Sequence, residues 1–180
     1  MMAPLPEILR KVPLFANLPP EDLRRVAEIS STQRYEKKSF IFREGERADG
    51  FFVVAEGRVK VFKLSPDGKE QVLHLIGPGQ SFAEATIFEG GTYPAHAEAL
   101  SSCDLVFLPK RPFTDLLEKN PRIALRMMAS LSRWIKRLAD LGGSIPTKAE
   151  RNPAKFTAFV NAEIARWAPI LKAASAAAKK

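Results

Sequence analysis

Hydrophobic and polar positions switch period twice along the chain, from helical to alternating and back to helical. Residues 5–12 read as a short helix that Pro13 ends, because the residue before a proline disfavours helical backbone. Leu14, Phe15 and Leu18 are apolar in a loop and are expected to dock on the domain that follows. Pro19-Pro20-Glu21-Asp22 starts a second helix, with proline and acids where a helix N-terminus favours them, and Leu23, Val26, Ala27 and Ile29 form its buried stripe. From Thr32 the period becomes two. Phe40 to Phe42 is a short strand and Arg43 to Glu46 a turn. Phe51 to Val54 and Val59 to Phe62 are β-branched and aromatic runs, predicted to form a hairpin through Glu56-Gly57. Ser65-Pro66-Asp67-Gly68 is a turn, and Gln71 to Ile76 answers Val59 to Phe62 as its partner strand. Ala95 to Leu100 and Leu105 to Leu108 complete a set of short strands with glycine turns, the signature of a sandwich or jelly roll.

Helical periodicity returns at Pro112, with Phe113, Leu116 and Leu117 on a short helix. Asn120-Pro121 is an N-cap followed by proline at the first helical position, and no glycine or proline interrupts the chain from there to residue 141. Ala124, Met128, Leu131, Ile135 and Leu138 are spaced 4, 3, 4, 3, a seam pattern. Two readings stand side by side: a helix packed on its own domain, or one half of a parallel coiled-coil dimer. Gly142-Gly143 breaks the helix. A polar linker leads to Asn152-Pro153 and an amphipathic helix with Phe156, Phe159, Val160, Ile164 and Trp167 on one face.

The stretch from Gly77 to Leu100 stands apart. Gly-Pro-Gly opens it, Phe82-Ala83-Glu84-Ala85 makes a corner of small residues, and Thr86-Ile87-Phe88 is a short apolar run. Gly90-Gly91 turns the chain, and Ala95, Ala97 and Ala99 alternate with His96 and Glu98, as in a strand with one tightly packed face. Strand, helical turn and returning strand leave backbone N–H groups free at the helix start, an expected anion site.

These residues resemble the phosphate-binding cassette of cyclic-nucleotide-binding domains, whose pattern is Phe-Gly-Glu, a short apolar helix, Arg-Ser/Thr-Ala and alternating small residues. Gly45, Gly57, Gly68 and Gly79 fall where that family's β-roll turns, and a long helix follows. Residues 8–141 resemble the sensor half of a Crp/Fnr-type transcription regulator, nearest in wording to the nitric-oxide-sensing denitrification branch, which also reads Phe-Ala-Glu-Ala. The resemblance implies a mainly β fold with flanking helices: a cyclic-nucleotide-binding-like double-stranded β-helix, or jelly roll, plus a long C-terminal dimerisation helix. The expected layout is N-terminal helices over 1–30, a β-roll sensor over 31–110, a short helix and dimerisation helix over 111–141, and a linker and amphipathic tail over 142–180 without a recognisable helix-turn-helix.

By the same resemblance the ligand segment comprises Phe82, Ala83, Glu84, Ala85, Tyr93, Pro94 and Ala95. In the family the counterpart of Glu84 accepts from the ribose 2′-hydroxyl, and an arginine nine or ten residues later neutralises the cyclic phosphate. Here Ala83 replaces glycine, and Tyr93-Pro94 stands where Arg-Ser is expected. Tyrosine cannot neutralise an anion, and proline offers neither N–H nor hydroxyl. A buried ion without its partner costs on the order of 3–5 kcal/mol, so cyclic AMP is expected to bind weakly or not at all. A cavity lined by Ile87, Phe88, Tyr93 and Met128 is expected between roll and helix. It would suit an apolar or planar ligand such as haem, as in the branch resembled. The other reading is a dimerising interaction module with an empty pocket.

Composition narrows the classes. The formal charge is +8, of which +5 lies in residues 142–180, so a solvated basic tail is expected, with a weak nucleic-acid or membrane-surface patch as the alternative. DNA enters only if a DNA-binding domain is supplied elsewhere. No apolar run of about 18 residues and no basic-then-apolar leader is present, so a cytoplasmic protein without a membrane partner is expected. Cys103 is the single cysteine, which excludes an internal disulfide and the four-cysteine iron–sulfur arrangement of the oxygen-sensing branch. His74 and His96 are the two histidines, poor material for a cupin-type metal enzyme, so no catalytic residues and no metal site are assigned. Partners are expected to be a second copy through helix 121–141 and a small-molecule effector.

Overall fold

A computed structural model describes residues 3–89 and 91–140. The chain runs α1 (Leu5–Arg10), α2 (Pro20–Glu28), β1 (Ser31–Tyr35), β2 (Phe40–Phe42), β3 (Gly50–Glu56), β4 (Val59–Leu64), β5 (Glu70–Ile76), β6 (Ser81–Phe82), α3 (Ala85–Glu89), β7 (His96–Ala99), β8 (Cys103–Pro109), α4 (Lys110–Lys119) and α5 (Pro121–Asp140). The expected tail helix and linker of 142–180 lie outside the described residues, as do Gly90 and the side chain of Leu138.

The strands form two antiparallel four-stranded sheets, ordered β1-β8-β3-β6 and β2-β7-β4-β5. This is the mainly β jelly roll with flanking helices that the alternating runs predict. One strand pairing differs. β3 and β4 do not form a hairpin: β3 pairs with β8 and β6, while β4 pairs with β5 and β7. The chain crosses between sheets at Gly57, where φ is +88° and a Cβ would meet Ser102 O at 2.4 Å. The glycine read as a hairpin turn is a corner pressed against the β7–β8 connection.

Within the first sheet β3 is buried on both faces, which is why Phe51 to Val54 is a continuous apolar run rather than an alternation. Phe51, Val53, Val106 and Leu108 pack on Leu9, Phe15, Leu23, Val26 and Phe113 from the helices and N-terminal loop. Leu14, Phe15 and Leu18 are buried there as expected. The opposite face, with Phe52, Val54 and Leu105, packs on Phe42, Val59, Ala97 and Ala99 of the second sheet. The alanines fall on one face of β7, and the alternation of residues 95–99 is a true inner-face signal.

Helix ends shift by a few residues. α1 stops at Arg10, two residues short of the expected 5–12. α4 begins at Lys110, with Pro112 as its third residue. Asn120 precedes Pro121, but its Nδ2 donates to Leu116 O and so closes α4 rather than capping α5. Along α5, Ile123, Met127 and Ser130 are buried against the domain, whereas Met128, Leu131 and Ile135 are exposed. Among the described residues no helix is long and apolar enough to cross a membrane.

Candidate functional site

The ligand segment is built on β6, α3 and β7. Phe82 ends β6 with its ring stacked on Phe52 at 5.3 Å. The chain then turns at Ala83, whose φ of +66° is the left-handed backbone that favours glycine. The alanine therefore keeps a glycine-like conformation while adding a methyl group. Ala83 O accepts from Thr86 N and Thr86 Oγ1, at 3.3 and 2.7 Å, which starts the single turn of α3. Ser81 Oγ donates to Glu84 Oε1 at 3.4 Å. Glu84 is half-buried and Ala85 is exposed at the start of α3. Among the described residues no lysine or arginine forms an ion pair with Glu84.

The returning limb is pinned to the β2–β3 loop. Ala48 N donates to Gly91 O, Gly45 N to Tyr93 O, and Tyr93 N to Glu46 O at 2.8 Å. These bonds aim Tyr93 inward. Its side chain is 5% exposed and its ring stacks on Phe42 at 3.8 Å and 11°. Its hydroxyl donates to Gly50 O at 2.9 Å. Burial pushes the phenol up to about 12, and the nearby Asp49 carboxylate adds to it. Tyr93 is thus a neutral member of the aromatic core formed with Phe42, Phe52 and Phe82. Pro94 is exposed and Ala95 buried. The sequence pattern points to residues 82–85 and 93–95, but not to Phe42 or the Gly50 carbonyl, which fix Tyr93. Phe42's place in β2, with its side chain on the inner face, is the only signal that could have flagged it.

The residues expected to line a cavity between roll and helix are not brought together. Ile87 packs in the helix-side core and Tyr93 in the core between the sheets, while Phe88 is 65% exposed and Met128 57% exposed. Nor do the histidines fit haem. His96 Nδ1 accepts from Glu44 N–H at 3.1 Å, its Nε2 lies 4.0 Å from Glu44 Oε2, and its ring packs against Phe40 and Phe62. His74 sits on the exposed strand β5. Cys103 is buried, its Sγ 3.1 Å from both Arg58 O and Ser101 O. Three clefts of about 410, 410 and 460 Å³ lie elsewhere, beside Lys11, Lys110 and Arg126, and none of these three is lined by a ligand-segment residue of the 82–85 or 93–95 runs.

The sequence pattern of the cyclic nucleotide-binding domain matches residues 32–120, the strands and α4 just described. The sensor domain of the transcriptional regulator DNR from Pseudomonas aeruginosa superposes with a TM-score of 0.62 at 30% identity, over 79% of this chain and 93% of that one. The chain belongs to the cyclic nucleotide-binding domain family. The N-terminal domain of a transcriptional regulator from Streptomyces coelicolor A3(2) is similarly close to this cyclic nucleotide-binding domain, with a TM-score of 0.65 and 30% identity over 74% of this chain and 95% of that one. Among curated relatives, the Cyclic AMP receptor protein of Thermus thermophilus is 30% identical over 129 residues, 72% of this chain. The chain spans about six tenths of the length of the curated relatives that head the comparison, 59% and 62%. Its relatives are thus regulators of the Crp/Fnr type.

Proposed function

We propose that the chain is an effector-sensing domain of a Crp/Fnr-type regulator whose cassette no longer holds a cyclic phosphate well. The observation that carries this reading is Tyr93: where the family places the phosphate-neutralising arginine, the side chain is uncharged, buried and committed to Phe42 and Gly50. Pro94 beside it has no N–H to offer. Glu84 keeps the sugar-contacting carboxylate, but without a cation it repels an incoming anion. Losing the neutralising partner weakens binding by at least about two orders of magnitude. α5 presents Met128, Leu131 and Ile135 to solvent at the seam spacing, which supports dimerisation with a second copy. DNA contact requires a DNA-binding domain joined to this dimer, and the protein works in the cytoplasm without catalysing a reaction.

Isothermal titration with cyclic AMP of the wild type and of the double variant Tyr93→Arg, Pro94→Ser tests the reading. Affinity in the double variant should rise by at least about tenfold. Equal affinities in two folded proteins would show that the missing guanidinium is not the cause. A second reading is a dimerising interaction module with no effector, favoured by the inward-facing Tyr93. Wild-type protein that dimerises but whose melting temperature no compound of a small-molecule metabolite panel raises, cyclic nucleotides included, would support it.

A further inference from the structure

Among the described residues, one carboxylate outside the ligand segment is buried. Asp22, in the first turn of α2, is 4% exposed. It accepts from Arg25 Nη1 at 3.1 Å and from Arg126 Nη1 of α5. Arg25 Nη1 also lies 3.3 Å from Asn120 Oδ1 at the α4–α5 junction. One turn further along α5, Asn17 Nδ2 donates to Ser130 Oγ at 2.8 Å, and Ser130 Oγ donates to Arg126 O. Two polar contacts, four residues apart on one helix, therefore tie α5 to the N-terminal segment. Ile123 and Met127 lie buried alongside them.

Beyond Ser130 the picture changes. The described side chains at Leu131, Ser132, Arg133, Ile135 and Lys136 are all exposed. The contacts of Asp22 and Asn17, a latch on α5, sit where its described side chains pass from packed to exposed. Apolar contacts such as those of Ile123 and Met127 are non-directional and tolerate rotation or sliding. Charge-assisted hydrogen bonds to a buried carboxylate have a fixed geometry. We propose that Asp22 is a positioning residue that sets the rotation and angle of α5 on the roll, and with them the direction in which Met128, Leu131 and Ile135 face. The consequence for dimer geometry rests on the dimer reading above; the latch itself does not.

Hydrogen exchange on the full chain tests it, comparing wild type, Asp22→Asn and Arg126→Gln. Arg126 is half exposed and its removal leaves Asp22 paired with Arg25, so Arg126→Gln decides the matter if Asp22→Asn does not fold. Amides of residues 123–131 should exchange about tenfold faster in the variants, with those of β3 and β8 unchanged. Unchanged exchange along α5 in Arg126→Gln would overturn the proposal. So would equal acceleration in α5, β3 and β8, because it would make the contacts a general stabiliser and not a positioning device.

Discussion

Tyr93 offers the most quantitative test, because its phenol reports its own surroundings. Burial raises its pKa from 10 to about 12, so the folded protein holds the phenolic proton where the unfolded chain has lost it. A raised acid contributes stability that is fully present below pH 10 and is lost as the pH climbs to about 12. The difference corresponds to about 2–3 kcal/mol. Replacing Tyr93 by Phe removes this alkaline dependence and the hydroxyl bond to Gly50, the latter at about 1 kcal/mol near neutral pH. Urea unfolding of both proteins from about pH 8 to about pH 12 should give a gap that favours the wild type near neutrality and closes or reverses at the alkaline end. Tyr35 and Lys60 also have raised pKa values, Tyr35 through burial and Lys60 chiefly through its Glu70 hydrogen bond; the Tyr35 charge also adds to the rise at Tyr93, so part of the alkaline difference is shared by the two phenols. The chain has two tyrosines, so phenolate absorbance can be followed without crowding. Parallel alkaline slopes, or a Tyr93 phenol that ionises near 10 in the folded protein, would refute the core placement of the ring.

Other outcomes follow from single positions. Ala83→Gly should raise stability by up to about 1 kcal/mol, since φ of +66° costs alanine but not glycine; a fall in the urea midpoint would contradict this. Gly57→Ala should cost at least about 3 kcal/mol, because its Cβ would meet Ser102 O at 2.4 Å at a φ of +88°; a midpoint near wild type would show that the corner can relax. Leu131→Glu should leave the melting temperature of the domain within a few degrees of wild type while shifting sedimentation toward monomer; a dimer that persists would move the interface away from α5.

How legible this molecule is from its sequence depends on which neighbour each residue needs. Alternation at Ala95, Ala97 and Ala99 reports a face, and local pattern suffices. The Ser65 to Gly68 turn is equally local, and β4 and β5 pair across it. The β3–β4 relation is not local: the partners of Phe51 to Val54 are β8 and β6, remote in sequence, and Gly57 looks the same in a hairpin turn as in a corner. The identity of Tyr93 is plain in the chain, but its direction is set by Gly45, Glu46, Phe42 and Gly50, none adjacent. Asp22 reads as an ordinary helix-start acid; only the fold reveals that Arg126, 104 positions away, meets it.

The proposal of a cassette without its cation is tested most directly by titrating the wild-type chain with cyclic AMP. At about 1 mM cyclic AMP no resolvable heat is expected, with a melting temperature unchanged within error. Micromolar affinity, with the stabilisation of about 2.7 kcal/mol that a hundredfold excess over Kd confers, would show that some other group neutralises the phosphate.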